Sequence, residues 1–253
     1  MRLERKLLLS AALVAFIGEA QAQQILPARC SIQQSTVLYL VTTALQTVVN
    51  LPDADGSLFK PNAPRMWAAV VDRNGVLCDI NKSSADAWPG SRAIAIAKAE
   101  TANDFSNNLL ALSTANLYGP TQPGGSLFGL NNSNPFNAIF NAAANDLETG
   151  KGYVVGGIIT FGGGVALYSG GQVIGGLGVS GDSSCADHAV AFRMRKLAKL
   201  DAVPSGVAPD NTDNIIYFGA DGTTPISSTF DQPHCSANDL TPSQIENPPT
   251  RNP

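Results

Sequence analysis

Asp187 and His188 stand side by side just after Ser180-Gly181-Asp182-Ser183, where a strand pattern gives way to a helix pattern. In a first helical turn the dipole stabilises a carboxylate, so Asp187 reads as a capping charge. It also shares a face with Val190, Ala191, Met194 and Leu197, and a carboxylate on an apolar stripe must find a partner or line a pocket. The same dipole disfavours an imidazolium, which leaves His188 neutral and able to ligate a metal ion. Against that, His188 falls with Phe192 and Arg195 on the side expected to face water. The small residues around Ser180 and Gly181 leave backbone N–H groups open to an anion at a helix N-terminus, or they form an ordinary turn.

A second group lies in the Ala-rich run 92–105. Lys98 and Thr101 are three apart and share a helix face, although a threonine there also bonds back to its own helix. Arg92 could grip a ligand carboxylate through two bonds, or pair with Asp86. For an enzyme the acid–base groups are Asp187, His188, Asp72 and Lys98, with Asp187 and Lys98 the catalytic choice. They would suit a cofactor-free isomerase, (de)hydratase or lyase acting on a small oxygenated molecule. Two histidines, His188 and His234, with no acidic residue at metal-motif spacing make a poor metal centre. Gly175-Gly176-x-Gly178 runs on within a strand, which excludes a dinucleotide fingerprint.

These groups need elements to position them. Residues 33–51 carry apolar side chains at helical spacing and stop at Pro52. Residues 66–71 and 76–80 read as strands joined by a tight Asn74-Gly75 turn. Ser91 is the expected N-cap of the helix 92–105. Residues 107–149, poor in charge and rich in Asn, Gly and Ser, read as long loops with short helices. Strands are expected at 154–161, 165–168 and 172–180, a helix at 185–200, and a short strand at 214–218 in an irregular tail. That order gives an α+β layer, an antiparallel sheet with helices packed on one face or both.

The N-terminus reads as a cleavable signal peptide, residues 1–22: Arg2, Arg5 and Lys6, then an apolar run, then Ala20-Gln21-Ala22. Its apolar run is shorter than the roughly 20 residues of a membrane span, so the mature chain is expected to be periplasmic or secreted, without a membrane segment. Cleavage leaves 231 residues with 13 basic and 18 acidic side chains, a balance that argues against nucleic acid. The basic cluster 193–199 reads as the wet face of a helix. Cys30, Cys78, Cys185 and Cys235 all survive cleavage, and in an oxidising compartment they imply two disulfides with three possible pairings.

Several blocks in order resemble the GlcG/HbpS family of haem-binding proteins. They are Val70-Val71-Asp72-Arg73-Asn74-Gly75, Lys98-Ala99-Glu100-Thr101-Ala102, Gly162-Gly163-Gly164-Val165-Ala166-Leu167, and Val173-Ile174-Gly175-Gly176-Leu177-Gly178-Val179-Ser180-Gly181 followed by Asp187. The resemblance spans about 33–200, leaving 107–149 as an insertion and 201–253 as an extension. It implies a profilin-like fold, homo-oligomers, and binding of haem or a related tetrapyrrole. It also implies a ligand contact at Thr101, with Lys98 of the same pair, and the family blocks converge on Asp187. Arg92, Ser180, Gly181 and His188 join the candidate ligand site on their own chemistry. The family block Gly-Gly-x-Pro is here Gly164-Val165-Ala166, without the proline. The reading that follows is an exported haem- or tetrapyrrole-binding protein. The alternatives are the cofactor-free enzyme and an accessory module of a periplasmic oxidoreductase, contacted through its 107–149 loop.

Overall fold

The structure, a computed structural model, describes residues 26–53, 65–141, 146–219, 224 and 229–249. The expected signal peptide lies outside the described residues. The chain begins with α1 (Gln34–Tyr39), a π-helical turn (Leu40–Ala44) and α2 (Leu45–Val49), then β1 (Trp67–Asp72), β2 (Leu77–Lys82) and α3 (Ser91–Asp104). After α4 (Tyr118–Thr121) and a 3-10 turn (Leu130–Asn132) come β3 (Gly164–Ser169), β4 (Gln172–Ser180), α5 (Ser184–Leu197) and α6 (Pro242–Glu246).

All six residues of β1 are buried, and alternation sorts them. Trp67, Ala69 and Val71 pack with Ala95, Ile96 and Ala99 of α3. Ala68 and Val70 face the other way, into a core shared with Val41, Leu45, Ala189 and Phe192. A strand apolar on both faces needs a helical layer on each, and it has them. The four strands are ordered β2-β1-β4-β3 and every neighbouring pair is antiparallel. The fold is therefore α+β, an antiparallel sheet with helices against both faces. No helix among the described residues is long and apolar enough to cross a membrane.

Glycine sets how closely α3 approaches. A Cβ on Gly178 would lie 2.0 Å from the Ala95 carbonyl oxygen, and one on Gly176 2.1 Å from that of Ala99. The glycine run of β4 is thus a seat for a helix backbone.

The structure corrects several expectations. Residues 154–161 form no strand, only an isolated bridge from Val154 to Val76, because Gly156 and Gly157 take φ of +77° and +94° and turn the chain out of register. Residues 214–218 likewise form only a Tyr217–Gln232 bridge. Ser91 lies inside α3, with Gly90 at the cap and no side-chain bond to it. Arg193 and Arg195 do not face water: they are 2 % and 1 % exposed. The C-terminal extension covers them, Arg193 reaching Asp53 and the carbonyls of Gln244 and Ile245, and Arg195 reaching Asp213. The cysteines pair as Cys30–Cys78 and Cys185–Cys235, the second tying the extension to α5.

Candidate functional site

Lys98 and Asp187 come together. Lys98 leaves α3 beside the end of β4 and donates to Asp187 Oδ2 at 2.6 Å and to the Val179 carbonyl at 3.1 Å. Asp187 Oδ1 accepts the Asp182 N–H at 3.0 Å, so the N–H group once expected to meet an external anion is taken by the chain itself. Ser183 caps α5 by accepting from the Ala186 N–H. Ser180 and Gly181 are buried in the approach to this turn. Neither ionic group sees water, with side chains 0 % and 2 % exposed. Burial pushes Asp187 up to about 6 while Lys98 pulls it back, and burial lowers Lys98 while Asp187 raises it.

The lid on this pair is a glycine run. Gly163, at φ +126°, passes so close that a Cβ there would lie 2.7 Å from Lys98 Nζ and 2.9 Å from the Asp187 Cβ. Phe161 covers the remaining side, its ring centroid 5.0 Å from Lys98 Nζ. A sealed, satisfied ion pair of this kind positions backbone; it does not meet a substrate in this conformation.

Thr101 donates to the Ala97 carbonyl and accepts the Ile159 N–H, so its hydroxyl pins the 155–160 segment onto α3. Arg92 is 1 % exposed and donates to the carbonyls of Asp146 and Thr149. It does not pair with Asp86, which binds Arg65. Asp72 is spent on its turn, accepting from Ser31, Asn74 and Val76.

His188 is buried, contrary to the solvent-facing placement expected for it. Its Nε2 accepts the Ile215 N–H at 3.1 Å and lies 3.3 Å from Asn214 Oδ1, while its Nδ1 has no partner. Burial drops its pKa to about 4, so the ring is neutral. The helix spacing that grouped it with Phe192 and Arg195 was right; what covers that face was not foreseeable from spacing. His234 stacks on Tyr217 and contacts Asp239, away from His188.

Glu100 was missed as a site residue. It is 2 % exposed, its Oε1 has no partner, and burial followed by repulsion from Asp104 pushes its carboxyl up to about 8. The available signal was an acid set between Lys98 and Thr101 in an alanine-rich helix.

Open space lies elsewhere. A groove of about 990 Å³ runs between residues 29–35 and Cys78, Asp79, Glu148 and Lys151. Beside it a smaller one, about 380 Å³, is floored by Ile32, Val173, Ile174 and Leu200 with Arg73 at its edge.

The family model described as "Haem degrading protein HbpS-like" matches residues 58–195. Among solved structures, the Klebsiella pneumoniae protein ORFY is 23% identical, covering 71% of this chain and 95% of that one, with a TM-score of 0.47. The PduOC:heme complex is 26% identical over 65% of this chain and 93% of that one, with a TM-score of 0.45. HbpS is 17% identical over 68% and 94%, with a TM-score of 0.45. No curated protein matches the sequence.

Proposed function

The chain belongs to the HbpS-like family of haem-degrading proteins, and on that premise we propose that it is an exported, self-associating member that binds haem or a related tetrapyrrole. The observation carrying the ligand class is the family match, which runs from the start of the sheet through α3 and most of α5. Export is supported by the N-terminal signal pattern and by the pairing of all four cysteines, since disulfides persist in oxidising compartments.

Haem asks for a slot open to solvent, a donor for iron and cations for its propionates. His188 has the right donor chemistry, being neutral with a free nitrogen, but no part of the ring is exposed. Lys98 is closed beneath Gly163 and Phe161, and Arg92 is bound to backbone carbonyls. In this conformation the residues named from the sequence do not fit a macrocycle, and no chemistry is assigned through one.

Haemin titrated into the mature protein, with its disulfides intact and again with them reduced, should give a shifted Soret band in at least one state. No spectral change in either state at micromolar haemin would sink the reading. Light scattering on the same sample should return a multiple of the protomer mass, and a monomer would remove self-association from it.

A further inference from the structure

One stripe of α5 is given over to the C-terminal extension. Cys185, His188, Phe192 and Arg195 recur at helical spacing, and three of the four hold the extension directly. Cys185 is bonded to Cys235. His188 Nε2 accepts the Ile215 N–H at 3.1 Å. Arg195 forks onto Asp213 at 2.7 and 2.5 Å. Residues 213–218 are laced in turn to Gln232, which accepts from the Phe218 N–H at 3.0 Å and donates to the Ile216 carbonyl at 2.8 Å. Gln232 also binds the Gly162 N–H at 2.7 Å and the Ser184 hydroxyl at 3.0 Å, and Cys235 follows three residues later. The stretch over His188 is therefore held at Asp213 by a buried ion pair and, through its bonds to Gln232, by a neighbouring segment that is covalently tied to α5.

What it covers is a group without its full complement of partners. Nε2 meets both the Ile215 N–H and Asn214 Oδ1, and on either tautomer Nδ1 is buried with no partner. A buried polar atom left unpaired carries its full desolvation cost, which native structures rarely tolerate without a reason. The covering segment lies beyond the residues that match the family, and it rests on the core through Ile215 and Tyr217.

We propose that residues 213–218 form a strap that shuts His188 away from ligand, and that the Cys185–Cys235 bond is its catch. Only the identity of the ligand rests on the haem-binding reading. Release is a thiol–disulfide exchange with an external dithiol: the Cys185–Cys235 bond breaks, each sulfur ends with one proton, and the dithiol closes to its own disulfide. The strap, then held without a covalent tie by hydrogen bonds, the Arg195–Asp213 pair and the packing of Ile215 and Tyr217, opens more often and lets His188 meet a ligand.

The test compares the oxidised mature chain with a Cys185→Ser/Cys235→Ser variant and with a Cys30→Ser/Cys78→Ser control. Diethyl pyrocarbonate modifies accessible histidines, and peptide masses assign them. His234, with a side chain 40% exposed, is the internal standard. His188 should stay unmodified in the oxidised chain and in the control, and react at least about tenfold faster in the first variant, because modification follows the open population. The control loses an equivalent staple, so general loosening would expose His188 there too. Equal protection of His188 in all three proteins overturns the strap, as does equal exposure in the control.

Haemin titration of the same proteins separates this from the parent reading. A Soret shift confined to the variant, and lost when His188→Ala is added to it, is the expected result. A shift of equal strength in the oxidised chain puts the tetrapyrrole elsewhere and overturns the gating. His188 exposed in the variant with no Soret shift in any protein overturns haem binding and leaves the strap standing.

Discussion

Lys98 Nζ and Asp187 Oδ2 meet at 2.6 Å across 89 residues of sequence, joining the helix on one face of the sheet to the helix on the other. Both charges are out of water, so each depends on the other for its solvation.

Removing one partner leaves the other buried and unpaired. Lys98→Ala and Asp187→Ala are each expected to lower unfolding stability by about 3–5 kcal/mol, and the double variant by clearly less than the sum. Urea denaturation of the four proteins measures this. Single variants within about 1 kcal/mol of the parent would mean that the pair is not closed in solution.

Close helix–sheet approach gives the second expectation. Gly178→Ala puts a methyl 2.0 Å from the Ala95 carbonyl oxygen, against backbone that cannot swing aside. The loss should reach about 1–3 kcal/mol or more. Gly90→Ala, with open space around its Cβ, should stay within about 0.5 kcal/mol. Thermal midpoints that move equally for both would contradict the seating of α3 on β4.

How much of this was legible follows the range of the interactions. The Asn74-Gly75 turn and the pairing of the two strands it joins are written in neighbouring residues, and they formed where expected. Residues 154–161 have strand composition, but two left-handed glycines outweigh it, and propensity does not see φ. For the site, local pattern said that Asp187 needs a partner; it could not say that the partner is Lys98. His188 and Arg195 were placed on the correct helix face and given the wrong environment. Helical periodicity reports which residues share a face, whereas what covers that face is decided by a segment some 20–50 residues later. The disulfide pairing was hidden for the same reason.

The two staples close spans of 48 and 50 residues. On the chain-entropy account each stabilises by about 4 kcal/mol, so Cys30→Ser/Cys78→Ser and Cys185→Ser/Cys235→Ser should each lose roughly that much. Protein recovered from the exported fraction should begin at Gln23 and weigh two hydrogen pairs less than its reduced form. Peptide mapping without reductant should return Cys30 with Cys78 and Cys185 with Cys235. A retained Met1 would remove the export proposal, and crossed peptides would remove the pairing.

Glu100 supplies a pH dependence whose sign is fixed by its environment. Burial first, then Asp104, lifts its carboxyl from 4.5 to about 8, against the Gly156 N–H that lowers it. Between those values the folded chain holds a proton that the unfolded chain has released, so stability falls as pH rises. His188 acts oppositely below 6.5, where burial holds its folded pKa at about 4 and acid favours unfolding. Asp187, raised from 3.8 to about 6, works in the same direction as Glu100 but is finished by about pH 6. From about 6.5 to 8 Glu100 contributes a slope approaching about 1.4 kcal/mol per pH unit and a total near 2 kcal/mol. Glu100→Gln keeps the shape and cannot ionise, so its urea midpoint should fall less than the parent's across that interval and exceed it at pH 8. Parallel curves for the two proteins would show that Glu100 is already ionised in the folded chain, and that its unpaired oxygen finds a partner in solution.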